Sequence, residues 1–139
     1  MQKQIHLQII TPEKIKIDEY ADMVVMRCTD GDMGILPDHA DSSCVLDYGV
    51  MRIMNEEGEK RIAVYGGIAT IQSNILTILT ADAELPEEID IKRANADREQ
   101  AEQRLQEKTD DMEIANDQVL LRRALVQIDV SSYIQEDDD

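Results

Sequence analysis

Ile5, Leu7 and Ile9 alternate with His6 and Gln8, the period-two spacing of a half-buried strand. Short β-rich runs recur after it: Met23-Val24-Val25-Met26, Cys44-Val45-Leu46, Val50-Met51-Arg52-Ile53, Arg61-Ile62-Ala63-Val64-Tyr65, Ile68-Ala69-Thr70-Ile71 and Ile75-Leu76-Thr77-Ile78-Leu79. Turn signals fall between them at Thr11-Pro12, Asp30-Gly31, Tyr48-Gly49, Glu57-Gly58, Gly66-Gly67 and Ser73-Asn74. Many short strands at this spacing predict a sandwich or a small barrel.

The period then changes. Leu85-Pro86-Glu87-Glu88 predicts a helix start, with Pro in the first turn and two acids at the positive end of the dipole. This first helix runs to about Lys108 and is poor in apolar residues: Ile89, Ile91, Ala94, Ala101 and Leu105. Asp110 followed by Glu113 has the form of an N-cap and its capping-box partner. A second helix follows to about Tyr133, with Ile114, Leu121, Ala124, Leu125 and Ile128 at helical spacing. A short connection makes the pair an antiparallel hairpin. Helices with so little apolar surface are marginal alone and must dock on the strand domain, a partner, or both in turn. Glu136-Asp137-Asp138-Asp139 is expected to be a disordered acidic tail.

One stretch is more tightly specified than the rest. In Asp30-Gly31-Asp32-Met33-Gly34-Ile35-Leu36-Pro37-Asp38-His39 two glycines and a proline predict a stiff turn. Such a turn would present some of Asp30, Asp32, Asp38 and His39 to solvent or a partner. Gly66-Gly67 is expected to be a strand junction where backbones approach closely, not a phosphate cradle.

Composition narrows the function. The chain has 139 residues with no Trp or Phe, so its core is aliphatic. A net charge of −16 argues against nucleic acid as a partner and equally against an anionic membrane surface. No apolar run approaches a membrane span, and the N-terminus lacks the apolar stretch of a signal peptide. Cys28 and Cys44 make no C-x-x-C motif and are expected to be reduced packing residues of a cytoplasmic protein. His39 and His6 are the only histidines, and no zinc-site spacing surrounds His39, so a hydrogen-bonded structural role is expected for it. No phosphate loop, H-E-x-x-H or nucleophile elbow is present, so an enzyme is not expected, and no metal or required cofactor is.

Three segments in order then resemble one family, the epsilon subunit of F-type ATP synthases. Asp30-Gly31-Asp32-Met33-Gly34-Ile35-Leu36-Pro37-Asp38-His39-Ala40 resembles the family's G-E-L-G-I-L-P-G-H motif. Ile62-Ala63-Val64-Tyr65-Gly66-Gly67 is similar to its I-A-V-x-G-G strand, and Ile89-Asp90-Ile91-Lys92-Arg93-Ala94 to its I/L-D-x-x-R-A segment. The resemblance implies an α+β fold, with an N-terminal antiparallel β-sandwich over residues 1–84 and a C-terminal antiparallel two-helix hairpin with acidic tail over 85–139. It implies a non-catalytic rotor subunit of the central stalk, peripheral on the cytoplasmic face of the cell membrane. Such a subunit binds the gamma subunit and the membrane rotor ring and couples ion flow to ATP synthesis. Its hairpin reaches the alpha and beta subunits transiently and restrains ATP hydrolysis.

The resemblance also assigns candidate residues. Ile89, Asp90, Arg93 and Ala94 fall on the family's ATP-binding segment, and Glu84 and Arg123 match further positions that hold ATP, making ATP a weak regulatory ligand. Gln100 and Gln127 stand where stronger binders carry arginine. Asp32 corresponds to an acidic position facing the rotor ring, and His39 is the second candidate there. Asp38 replaces the usual glycine. Arg122 and Arg123 match basic residues that meet an acidic segment of the beta subunit. From Leu85 onward, 7 Lys and Arg face 16 Asp and Glu, so weak inhibition is expected. The runner-up reading is a stand-alone ligand-sensing or adaptor module whose hairpin binds a protein.

Overall fold

The computed structural model describes residues 3–107 and 110–133; the expected acidic tail lies outside the described residues. Eight strands come first: β1 (Ile5–Ile10), β2 (Ile15–Ala21), β3 (Met23–Cys28), β4 (Gly31–Ile35), β5 (Ser42–Asn55), β6 (Gly58–Gln72), β7 (Ile75–Leu79) and β8 (Ala83–Glu84). A 3-10 turn at Pro86–Glu88 leads to α1 (Ile91–Glu107) and α2 (Asp111–Ser132).

The strands run in the order β2-β1-β7-β6-β5-β3-β4, with β8 on β6. The long strands β5 and β6 belong to both layers of a sandwich. The second half of β6 lies between β7 and the start of β5, and its first half pairs with the end of β5 and with β8. The pairing is antiparallel except between β1 and β7, which run parallel. The sandwich is therefore mixed, not purely antiparallel.

Sequence turns expected at Tyr48-Gly49 and Gly66-Gly67 are instead bends within β5 and β6. Leu46 pairs with Gly67 and Tyr48 with Tyr65, and the chain turns the corner between these pairs. Gly67 has φ +126°, and a Cβ there would stand 2.1 Å from the Leu79 carbonyl oxygen. Only glycine allows that approach, so the expected junction of close backbones is present. Between the layers Ile5, Leu7, Ile9, Val24, Met51, Ile53, Ile62, Leu76 and Ile78 form one aliphatic core. Residues 62–65 of β6 are all buried, because α2 covers their outer face while the core takes the inner one.

The stretch from Asp30 to His39 is not one turn. Asp30-Gly31 turns the chain between β3 and β4, β4 is a strand, and residues 36–41 form a separate connection. Pairing with β3 wins because Val24 and Met26 stand opposite Ile35 and Met33. Strand β2 also escaped the pattern, since its outer edge position leaves much of Ile15–Ala21 exposed. The first helix starts later than expected. The Glu88 carboxylate accepts from the Leu85 N–H and from Lys16 Nζ, closing a 3-10 turn, and Ile89 is extended. Asp90 then caps α1 by accepting from the Arg93 N–H at 3.1 Å. Asp110 caps α2 as predicted, accepting from the Glu113 N–H at 2.8 Å.

Gly67→Ala is expected to lose about 3 kcal/mol of stability in denaturant unfolding, from backbone collision and positive φ together. Gly31→Ala, where a Cβ meets nothing within 4 Å, should cost about 1 kcal/mol, the backbone term alone.

Candidate functional site

Helix α2 lies across the outer face of the second layer. Ala63, Tyr65 and Val130 form a buried cluster there, with Tyr48, Val50, Ile89 and Val126 packed around it. Apolar area is small, and charged groups frame it. The Arg123 guanidinium sits 3.9 Å from the Tyr65 ring centroid and donates to Asp82 at 2.9 Å. Arg61 lies 4.2 Å from the Tyr133 ring and reaches Asp129. Arg122 stands near Tyr48 and Asp47. Each such pair ties α2 or the residue after it to the sandwich or its connections, and is worth most where it is least solvated.

Glu84 is the hub of the inner pairings. Its Oε1 accepts from Tyr65 Oη, from Gln127 Nε2 at 2.9 Å and from Arg123 Nη2 at 3.4 Å. Burial, and then the neighbouring Glu84 carboxylate, push the Tyr65 phenol well above its usual range. The phenol therefore stays a donor at every physiological pH. A second knot lies on the strands, where Glu59 bridges Arg52 and Arg61. The Arg52 bond first, and Arg61 after it, hold the Glu59 carboxyl below its ordinary range.

The structure brings together Glu84 and Arg123 among the candidate ATP residues. Ile89 packs at the edge of the same cluster. Asp90 is a helix cap, and Ala94 is buried in the hairpin. Arg93 is 80% exposed and faces Asp97 on its own helix. Helix α1 reaches the sandwich through α2, to which Arg104 ties it by Asp117. Asp32 and His39 do not share one end of the molecule's edge. Asp32 lines a cleft with Arg27, Arg52, Arg61 and the α2 residues Leu125 and Asp129. His39 lies beyond the other end of β4, where its Nδ1 donates to the Ala40 carbonyl at 2.8 Å. Asp38 takes φ +66°, the left-handed conformation that explains a glycine at this place in the family motif. Its side chain meets Lys3 and Asn74. Among the described residues no group of three or more His, Cys, Asp or Glu could hold a metal.

Sequence reasoning missed an exposed apolar row on the outer face of the first layer. Val45, Ile68, Leu79, Ile10 and Ile15 stand side by side on β5, β6, β7, β1 and β2, each directly opposite the next. Four of them are more than half exposed: Val45 57%, Ile68 52%, Leu79 52% and Ile15 54%. Single exposed apolar residues need no explanation, whereas a contiguous row across five strands is a candidate interaction surface. The five are spread from Ile10 to Leu79 over five strands, so only the register discloses the row.

Comparison with known proteins places the chain in a family. Residues 4–86 match the family model for the ATP synthase delta/epsilon chain β-sandwich domain, and residues 87–132 match that for its long α-helix domain. The chain belongs to the ATP synthase delta/epsilon family. Its bacterial relatives carry the name ATP synthase epsilon chain. One from Symbiobacterium thermophilum is 38% identical over 134 residues, covering 96% of each chain. One from Caldanaerobacter subterraneus is 33% identical, covering 98% of this chain and 99% of the relative. A chain of the Euglena gracilis mitochondrial ATP synthase superposes with a TM-score of 0.81 at 21% identity, over 94% of this chain and 82% of that one. A chain of the Tetrahymena thermophila mitochondrial ATP synthase central stalk and c-ring gives 0.62 at 14% identity, over 94% and 98%. These two show the shared fold. Within the delta/epsilon family, this member holds its hairpin against the sandwich through the α2 seam.

Arg123→Ala should loosen that seam. Backbone amides of α2 are expected to exchange hydrogen about tenfold faster, a loss of roughly 1.4 kcal/mol of docking, while amides of β1 and β7 keep their protection.

Proposed function

We propose that the chain is the non-catalytic epsilon-type subunit of an F-type ATP synthase, working in the central-stalk rotor. There it couples ion flow to ATP synthesis, seated peripherally on the cytoplasmic face of the cell membrane. Its family supports this reading, and the observation that carries it furthest is the exposed apolar row. An apolar row on a chain of −16 charge fits a permanent protein partner, and the gamma subunit is the partner assigned to it. The membrane rotor ring is assigned to the end of the sandwich that bears His39. Asp32, in its cleft beside α2, is a weaker candidate for that contact, because the docked helix stands next to it. No described helix is long and apolar enough to cross a membrane, which fits a subunit that reaches the bilayer through other chains.

The hairpin is proposed as a weak regulator of ATP hydrolysis, meeting alpha and beta transiently when α2 leaves the sandwich. Leaving breaks the Arg123, Arg122 and Arg61 pairings. It then carries a strongly acidic hairpin toward its new contacts, and each close like-charge pair there costs on the order of 1 kcal/mol. Both effects favour the docked posture. ATP is proposed only as a weak ligand that further favours docking. In the docked posture Oε1 of Glu84 is shared among Tyr65, Gln127 and Arg123, and Nη2 of Arg123 is turned to Asp82 and Glu84. Arg93, well exposed, is the most accessible of the candidate residues to meet phosphate.

Replacing Ile68 and Leu79 together by Asp is expected to abolish co-purification with gamma while leaving the circular dichroism spectrum unchanged. Retention of gamma would refute the assignment of the row. In the same reconstituted complex, truncation before Leu85 should raise ATP hydrolysis only modestly, and a large activation would refute weak inhibition. Calorimetric titration of the full chain with ATP should saturate only at millimolar concentration, and Arg93→Ala should remove the heat. Micromolar binding, or binding indifferent to Arg93, would contradict the ATP assignment.

A further inference from the structure

Cys28 ends β3, and Cys44 lies near the start of β5. Cys28 pairs across the ladder with Leu46, so Cys44, two residues along the same strand, shares the inward face. The Thr29 N–H donates to the Val45 carbonyl at 3.0 Å and fixes the two backbones between them. The two Sγ atoms are 2.8 Å apart and unbonded, with both cysteines free. Cys28 is 4% exposed, whereas Cys44 is half-buried at the edge of the core. Burial first, and Cys44 beside it, push the Cys28 thiol up to about 12, with Asp30 and Asp32 acting in the same direction. The packing role expected of both cysteines thus coexists with a geometry that packing alone does not require.

We propose that Cys28 and Cys44 form a two-thiol oxidation site that closes into an intramolecular disulfide in the folded protein when it meets a peroxide. Cys44, the more accessible thiol, reacts first. Its sulfur attacks one peroxide oxygen, the O–O bond breaks, the thiol proton leaves with the departing oxygen as water, and a sulfenic acid remains. The Cys28 sulfur then attacks the Cys44 sulfur. The S–O bond breaks, and the hydroxide leaves as water with the Cys28 proton. The two thiols give up two electrons, and hydrogen peroxide becomes two waters. The neighbouring carboxylates and the protonated Cys28 make the closure slow, and the contact between the sulfurs makes it intramolecular.

The bond would close a loop containing all of β4 and the connection of residues 36–41. It would staple the outer β3–β4 pair to β5 and restrain the segment that carries Asp38 and His39. This inference rests on the two strands alone and stands whether or not the rotor assignment holds.

The test is exposure of the full native chain, and of C44S and C28A, to hydrogen peroxide, followed by thiol titration and peptide mass spectrometry under non-reducing conditions. The wild-type protein is expected to lose both thiols and two hydrogens in mass while staying monomeric, and to yield a Cys28–Cys44 cross-linked peptide. Its melting temperature should rise by about 5–10 °C and fall back with dithiothreitol. Each variant should keep its remaining sulfur out of any intramolecular bond. Persistence of both thiols in the native protein, cross-linking between chains as the main product, sulfinic acid at Cys44 with Cys28 untouched, or a disulfide that lowers the melting temperature would each overturn the proposal.

Discussion

At Gly67 the backbone of β6 passes so close to the Leu79 carbonyl that no side chain fits between them. Much of the molecule follows from that contact. It lets β6 bend and, with β5, run from one layer of the sandwich into the other. The bend encloses the aliphatic core without any large aromatic residue to fill it. It also turns Tyr48 and Tyr65 outward on the second layer, where they become the floor for α2. On the first layer it leaves Ile68 on the outer face, between Val45 and Leu79. One steric constraint thus shapes both the exposed apolar row and the floor on which α2 docks.

The two surfaces use different physics. The row on the first layer is apolar and exposed, which suits the proposed lasting contact driven by removal of water. The α2 seam is small in apolar area and depends on arginine–tyrosine and arginine–carboxylate pairs at its margin. Pairs of that kind exchange for water at modest cost. That contrast is what the proposed rotor role, with a lasting partner on one face and a releasable helix on the other, would require. Helix α1 is held mainly by α2, to which its ties run.

Much of this was legible in the sequence, and the failures have physical causes. The alternation in Ile5–Ile10 and the cap at Asp110 were visible because each is a local pattern with a local cause. Gly66-Gly67 was legible as a close approach, but not as the corner of a continuous strand, because glycine pairs signal turns and bends alike. Strand β4 was hidden inside a motif whose glycines read as a turn, and β2 because an edge strand buries too little to show a clean period. Of the candidate ligand residues, Glu84 and Arg123 meet, while Arg93 stands apart on α1. Their spacing could not reveal that Tyr65 and Gln127 already occupy Glu84. The apolar row needed the registers of four strand pairs before its residues became neighbours.

Hydrogen exchange on the full chain, free and then mixed with purified gamma subunit, tests the central claim most directly. The account predicts slower exchange on binding along β5, β6 and β7 around Val45, Ile68 and Leu79, with α2 unchanged. Protection confined to the hairpin, or no protection with gamma at all, would contradict it.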